Sequence, residues 1–294
     1  MSPQAVTPRI PAPSKIAIIG TGLIGGSIAA SFRRVFASTF ISGFSEAKDA
    51  SVAEQLGLLD EVCVSIQDCI VGADIVFLSC PVGAMPAVFN ELAKNPASYR
   101  VATDCGSTKR SVIESARAQL GDAFERFLPG HPIAGSERHG PAGASAHLFV
   151  KRNWLLCPQS EKQKQLAEHL TPVFEALGSQ VKMVDALAHD ELFAEISHFP
   201  HWMVFAACLG ISAGPHGEAA MTQSGAGLKD TTRIGASSAS LWADIFIDNR
   251  EPLKASLDRF DEALIEMRAL LESGDKDRLT RLIERASTWR KLVT

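Results

Sequence analysis

The sequence predicts an α/β fold: a Rossmann-type domain on a mainly parallel sheet, followed by an all-helical dimerisation domain. Three observations carry the prediction. Short apolar runs alternate with helical patterns up to about residue 185, as parallel strands joined by crossover helices do. Those runs are continuously apolar, as burial on both faces requires. Beyond residue 185 no clear strand follows, and long helical stretches dominate.

The elements follow in order. Residues 1–13 carry several prolines and no apolar core and read as a flexible tail. The run KIAIIG gives a strand over 16–20, and a helix over 23–36 starts directly after its glycine turn. Further strands fall at 40–44, 75–80, 100–104, 127–130, 154–157 and 181–184. Helices fall between them at 52–57, 84–93, 109–120 and 163–177. These make a dinucleotide-binding domain over 14–184. The remainder, 185–294, reads as helices over 189–209, 241–249, 252–273 and 276–292. Within it Leu253, Leu257, Phe260, Leu264, Met267 and Leu271 recur at three- and four-residue spacing, a stripe expected in a core. A helical lobe this small has limited core of its own, so its long helices are expected to bury apolar faces against a second subunit.

Composition narrows the function. Of 294 residues 46% are hydrophobic and 21% charged, which fits a globular protein. A net charge of −4 with no basic stripe excludes a nucleic-acid binder. No apolar stretch is long enough to span a bilayer, and the N-terminus lacks the features of a secretory signal. The six cysteines form no C-x-x-C pair and read as reduced thiols, which places the protein in the cytoplasm.

In open α/β sheets ligands sit beyond the carboxyl ends of the strands, and the informative motifs lie there. In GTGLIGGS, Gly20, Gly22 and Gly25 fall on the G-x-G-x-x-G spacing between a strand and a helix. The first permits a tight turn, the second lets a pyrophosphate approach the backbone, and the third lets helix and strand pack closely. Gly20, Gly22, Leu23, Ile24 and Gly25, with Ser45 and Pro81 at later strand ends, are the candidate cofactor contacts. In DCGSTK, Ser107 and Thr108 can cap the helix that follows, or Ser107 can lie beside a nicotinamide and orient a substrate hydroxyl. In GHPIAGSE, Pro132 holds His131 out of helical conformation, where it can accept a proton near neutral pH or simply bond to backbone. His198 and His201 of HFPH can share a helix face and reach a substrate or the other domain. A zinc site with His189 or Glu195 lacks any standard ligand spacing, and no metal is expected. In GAGLKDTTRIG, Arg233 offers a planar fork for a carboxylate, or an ion pair with Asp230 or Asp244.

GTGLIGGS, DCGSTK, GHPIAGSE, SHFPH and GLKDTTRIG, in that order and over nearly the whole chain beyond the tail, resemble the prephenate/arogenate (cyclohexadienyl) dehydrogenases of tyrosine biosynthesis. The resemblance implies an NAD(P)-dependent oxidative decarboxylation in a cleft between a Rossmann-type domain and a helical dimerisation domain. Prephenate would give 4-hydroxyphenylpyruvate, and arogenate would give tyrosine. It implies that His131 takes the substrate hydroxyl proton, Ser107 helps fix that hydroxyl, Arg233 binds a substrate carboxylate, and His201 and His198 line the cleft. It also implies a homodimer.

Two positions depart from the expected pattern. The slot for an acidic residue on the ribose 2′-hydroxyl holds Ser45, with Glu46 and Lys48 following, which leans toward NADP over NAD. No acidic residue lies around Ser240 to pair with the arogenate amine, which keeps prephenate open. No mutase or regulatory segment flanks the two domains, so a monofunctional enzyme is expected. Two rival readings remain at this point. One is a β-hydroxyacid-type dehydrogenase using Lys229 as acid/base, and the other is a non-catalytic dinucleotide sensor.

Overall fold

The structure is a computed structural model that describes residues 12–135 and 138–293. Most of the expected tail, and Ser136 and Glu137 of GHPIAGSE, lie outside the described residues. Pro13 is buried, and its carbonyl accepts a 2.7 Å bond from Thr39 Oγ1.

Six parallel strands form the main sheet: β1 (Lys15–Ile19), β2 (Phe40–Phe44), β3 (Glu61–Val62), β4 (Ala73–Leu78), β5 (Tyr99–Asp104) and β6 (Phe127–Leu128). Their order is β3-β2-β1-β4-β5-β6, so the strand order reverses between β1 and β4, where a doubly wound sheet opens its ligand crevice. Helices α1 (Leu23–Val35), α2 (Ala47–Gln55), α3 (Ile66–Ile70), α4 (Met85–Lys94) and α5 (Arg110–Leu120) connect them. The alternation of a strand explains the two cores. On β1, Ile16 and Ile18 join Ile41, Phe77, Phe32 and Phe174 on one face. Ala17 and Ile19 join Val76, Leu78, Phe89 and Phe127 on the other.

A second sheet of β7 (Gly130–Pro132), β8 (Asn153–Leu156) and β9 (Gln180–Met183) packs beside β5, with α6 (Glu161–Ala176) between its last two strands. The strand expected at 127–130 is therefore two strands in two sheets. Pro129, which has no N–H to continue a ladder, separates them. Two residues of β3 and five of α3 were too short to show periodicity.

The helical part comprises α7 (Ala186–Phe193), α8 (Phe199–Ser212), α9 (Gly217–Gln223), α10 (Ala226–Thr232), α11 (Ala239–Asp248), α12 (Arg250–Ser273) and α13 (Lys276–Leu292). The single helix expected over 189–209 is interrupted by a π-helical turn at Ala194–His198. Pro200, in the first turn of α8, cannot donate to the preceding turn, and the wider turn absorbs the lost bond. α9 and α10 lie in a glycine-rich stretch without apolar periodicity.

The stripe on α12 is not core within one chain. Leu253 is buried, but Leu264, Met267 and Leu271 are exposed. Leu257 and Phe260 are half-buried, Phe260 against Phe199 of α8, so the first half of the stripe is covered by the same chain and the second half is open.

Candidate active site

The glycine turn is built as the crevice demands. Gly20 has φ of +96°, and a Cβ there would lie 2.7 Å from the Cys80 backbone nitrogen at the end of β4. At Gly25 a Cβ would overlap the Gly20 carbonyl oxygen. At Gly22 it would meet nothing within 4 Å, so the backbone is open to a ligand. Gly22 caps α1 with no side-chain bond and no acid follows in the first turn, so the N–H groups of Leu23 and Ile24 face the crevice end without intrahelical acceptors. Thr21 is buried, and its Oγ1 has no partner among the described residues. This cradle fits a dinucleotide pyrophosphate. Ser45, half-buried at the end of β2, accepts a 3.2 Å bond from the Thr21 N–H; Glu46 and Lys48 are exposed. Pro81 is exposed just beyond β4.

One face of the crevice leads to His131 on β7. Its backbone is pinned from both sides of Gly130: the Gly130 N–H donates to Asp104 Oδ1 at 2.9 Å, and Lys109 Nζ donates to the Gly130 carbonyl at 2.6 Å. Lys109 and Asp104 are themselves ion-paired, and both side chains are fully buried. Such a pair holds only because both charges are satisfied. It fixes the end of β5 against the start of β7, which sets where His131 points.

His131 is buried, with 8% of the residue exposed. Its Nδ1 lies 2.8 Å from His189 Nε2, and His189 Nδ1 lies 2.8 Å from Asp190 Oδ1. Asp190 also accepts from the backbone N–H of Lys109 at 2.8 Å and of Arg110 at 2.9 Å. Phe193 stacks on His189 and tilts against His131. Burial drives the His131 pKa well below its usual value, and the neighbouring His189, Lys109 and His198 push the same way. The ring is therefore neutral at physiological pH, as a proton acceptor must be.

His198 and His201 continue the cluster. His198 is fully buried; Asn249 Nδ2 donates to its Nδ1 at 3.0 Å and to the Asp190 carbonyl at 2.8 Å. Its Nε2 has no partner among the described residues, and burial pushes its pKa down to about 4. His201 donates through Nδ1 to the Ser197 carbonyl at 2.9 Å and stacks on Trp242 at 3.5 Å. Burial lowers its pKa, and Arg233, exposed in the turn after α10, acts in the same direction. His131, His198, His201 and Arg233 thus form a chain of electrostatic neighbours at the seam between the sheet and the helices.

Ser107 is half-buried beyond β5 and makes no side-chain bond among the described residues. The capping reading of Ser107 and Thr108 is corrected: Asp190 from α7 takes the free N–H groups at the start of α5, and Thr108 Oγ1 is buried without a partner among the described residues. Sequence reasoning missed Asp190, Asn249, Lys109 and Trp242. It considered His189 only as a metal ligand, whereas both its nitrogens are taken by His131 and Asp190. His189 and Asp190 follow an ordinary helix start, so no motif spacing marked them.

The described residues include no helix long and apolar enough to cross a membrane. The family model of the prephenate dehydrogenase nucleotide-binding domain matches residues 28–183, and that of the prephenate dehydrogenase dimerization domain matches residues 185–285. The cyclohexadienyl dehydrogenase of Zymomonas mobilis is 32% identical over 268 residues, covering 90% of this chain and 90% of that protein. The prephenate dehydrogenase of Bacillus subtilis is 32% identical over 284 residues, covering 94% of this chain and 75% of that protein. The crystal structure of A. aeolicus prephenate dehydrogenase in complex with hydroxyphenyl propionate and NAD+ matches with a TM-score of 0.85 and 28% identity, covering 96% of this chain and 98% of that one. These likenesses do not favour a β-hydroxyacid-type dehydrogenase or a non-catalytic sensor.

Proposed function

This chain belongs to the prephenate dehydrogenase family, and from that premise we propose that it oxidises and decarboxylates a cyclohexadienyl acid, prephenate or arogenate, as a homodimer in the cytoplasm. Residues 14–184 hold the dinucleotide, and residues 185–294 supply the substrate wall and the subunit contact. The observation that carries the reading is His131: a buried, neutral imidazole held at the crevice by Gly130 and joined to the helical half through His189.

His131 takes the proton of the substrate hydroxyl. The glycine turn of Gly20, Gly22 and Gly25 would hold a nicotinamide dinucleotide, which would supply the acceptor for the hydride leaving the carbon that bears that hydroxyl. The ring carboxylate then leaves as carbon dioxide, and its bonding electrons make the ring aromatic. Ser107 holds the hydroxyl from the β5 side. Arg233 binds a carboxylate bidentately. His201, fixed by Ser197 and Trp242, and His198, whose Nε2 has no partner among the described residues, line the substrate side chain. Positioning and a dry, polar site supply most of the rate enhancement. Gly20, Gly22, Leu23, Ile24, Gly25, Ser45 and Pro81 contact the dinucleotide. NADP is the preferred cofactor and NAD the alternative, because the neutral Ser45 puts no negative charge against a 2′-phosphate.

The test is a four-way assay of prephenate and arogenate with NADP and NAD. Nucleotide reduction coupled to carbon dioxide release is expected with at least one diene, faster with NADP. Absence of reduction in all four combinations overturns the reading, and faster turnover with NAD overturns the cofactor preference.

A further inference from the structure

We infer that His189 and Asp190 are positioning residues that fix His131 in the Nδ1–H tautomer, leaving its Nε2 as the proton-accepting atom. The inference rests on the proposed function, in which His131 is the base, and adds which nitrogen acts and what selects it.

The chain of bonds allows one assignment. The Asp190 carboxylate receives the N–H groups of Lys109 and Arg110, one on each oxygen, and its Oδ1 also faces His189 Nδ1 at 2.8 Å. Burial opposes its charge, but the His189 bond and the two backbone bonds outweigh burial and hold its carboxyl below the usual value. An ionised carboxylate only accepts, so His189 Nδ1 carries a proton and donates it. A neutral imidazole protonated at Nδ1 presents a lone pair at Nε2. That lone pair lies 2.8 Å from His131 Nδ1, so His131 donates there. Its own Nε2 is then bare. The opposite tautomer would set two lone pairs against each other and leave His131 unable to accept a proton at Nε2.

His189 must be neutral for this to hold. The charged and titratable groups acting on His131 are Lys109, His189 and His198; those acting on His189 are Asp190, Lys109 and Asp104. Burial lowers the His189 pKa, Lys109 adds to the effect, and Asp190 opposes it without reversing it. Phe193 packs on both rings and fixes their planes. When His131 Nε2 takes the hydroxyl proton, the new positive charge stays on His131 and is stabilised by its bond to His189, which the Asp190 carboxylate orients. Asp190 belongs to α7, whereas Lys109 and Arg110 belong to the sheet half. The tautomer is therefore set only where the two halves meet.

The experiment combines two readouts. Long-range ¹H–¹⁵N NMR of the histidine rings in the substrate-free wild-type protein reports the tautomer directly. His131 is expected protonated at Nδ1 and bare at Nε2. An Nε2–H signal overturns the inference, whatever the variants do. The second readout is Asp190→Asn, whose amide can present N–H where the carboxylate accepted. It should lower kcat roughly 10²- to 10⁴-fold while KM for diene and nucleotide stays within about threefold. Its His131 should move to the Nε2–H form. His189→Gln, which keeps one donor and one acceptor, should retain at least roughly tenfold more activity than His189→Leu. Unchanged kcat in Asp190→Asn, or equal loss in the two His189 variants, overturns the inference. Failure of the wild type to oxidise either diene would instead overturn the proposed function, and the NMR result would stand apart from it.

Discussion

The two halves of this chain use apolar residues in opposite ways. In β1 and β4 the side chains from Ile16 to Ile19 and from Ile75 to Leu78 are almost wholly buried, covered on both faces by helices of the same chain. Helix α8 is as apolar, yet of its residues only Val204 is buried, while Leu209 is 71% exposed. Ile265 on α12 and Trp289 on α13 are 67% and 68% exposed. The sheet half completes its own core, and the helical half leaves faces for another surface to cover. The difference teaches that apolar periodicity reveals which face is to be buried but not which chain buries it. Between the halves lies a third environment, polar and dry, where His131, His189, Asp190 and Asn249 bond across the seam.

The proposed function puts the chemistry at the seam and the cofactor on the sheet half, and the largest expected effect tests that division. His131→Asn should lower kcat by roughly 10³-fold, within the usual range for losing a general base, with nucleotide binding unchanged by fluorescence titration. Full turnover in this variant would place the chemistry elsewhere.

Next in size is the cost of opening the closed half. Lys109→Met leaves the fully buried Asp104 charge without its partner. Urea unfolding should register a loss of about 3–5 kcal/mol. Adding Asp104→Asn, which removes the stranded charge, should recover part of it. A loss under about 1 kcal/mol would mean that the pair is hydrated and does not hold β7 in place.

How much of this was legible follows from the same contrast. The sheet half was readable because local signals coincide there with long-range ones. The KIAIIG run, the glycine spacing and the helix after it each report the same layout. The single ring His131 could be proposed because Pro132 and a strand end frame it. His189 and Asp190 could not, because their role arises from a contact between residues 58 apart in sequence, which no local pattern encodes. The capping reading of Ser107 failed for the same reason: the cap of α5 arrives from α7. The α12 stripe was legible as apolar, but only its first half, from Leu253 to Phe260, is covered by the same chain, and Leu264, Met267 and Leu271 are left open.

The open faces give the third prediction. Leu209→Asp puts a charge where one chain leaves the residue exposed, so the monomer fold should lose little, within about 0.5 kcal/mol for an exposed site. If α8 meets a second subunit, sedimentation at micromolar concentration should show the wild type as a dimer and the variant shifted toward monomer. A monomeric wild type would remove the dimer from the reading and leave the exposed faces unexplained.

The smallest effect belongs to the seam and is read from pH. Of the eight histidines, His139, His147, His169 and His216 are exposed, while His131, His189, His198 and His201 line the seam with lowered pKa values. Burial disfavours the charged form, so each of these four binds a proton more readily once the chain unfolds. Stability therefore rises with pH wherever the unfolded histidine is protonated and the folded one is not. For His198 that window runs from the ordinary 6.5 down to about 4. Above 6.5 the group costs nothing; below it the unfolded chain gains the proton and the fold weakens. Asp190 acts in a different region: its lowered carboxyl pKa stabilises the fold fully above the ordinary 3.8, and that contribution is lost only as the pH falls below it. Unfolding free energy should thus fall between about pH 7 and about pH 5, with His198 contributing on the order of 1 kcal/mol and the other seam histidines acting in the same direction. His198→Gln, which can still accept from Asn249, should flatten that slope, whereas replacing exposed His169 should leave it unchanged. An equal change in slope from both would show that titration is spread over the surface and that the seam is not the dry environment the hydrogen bonds describe.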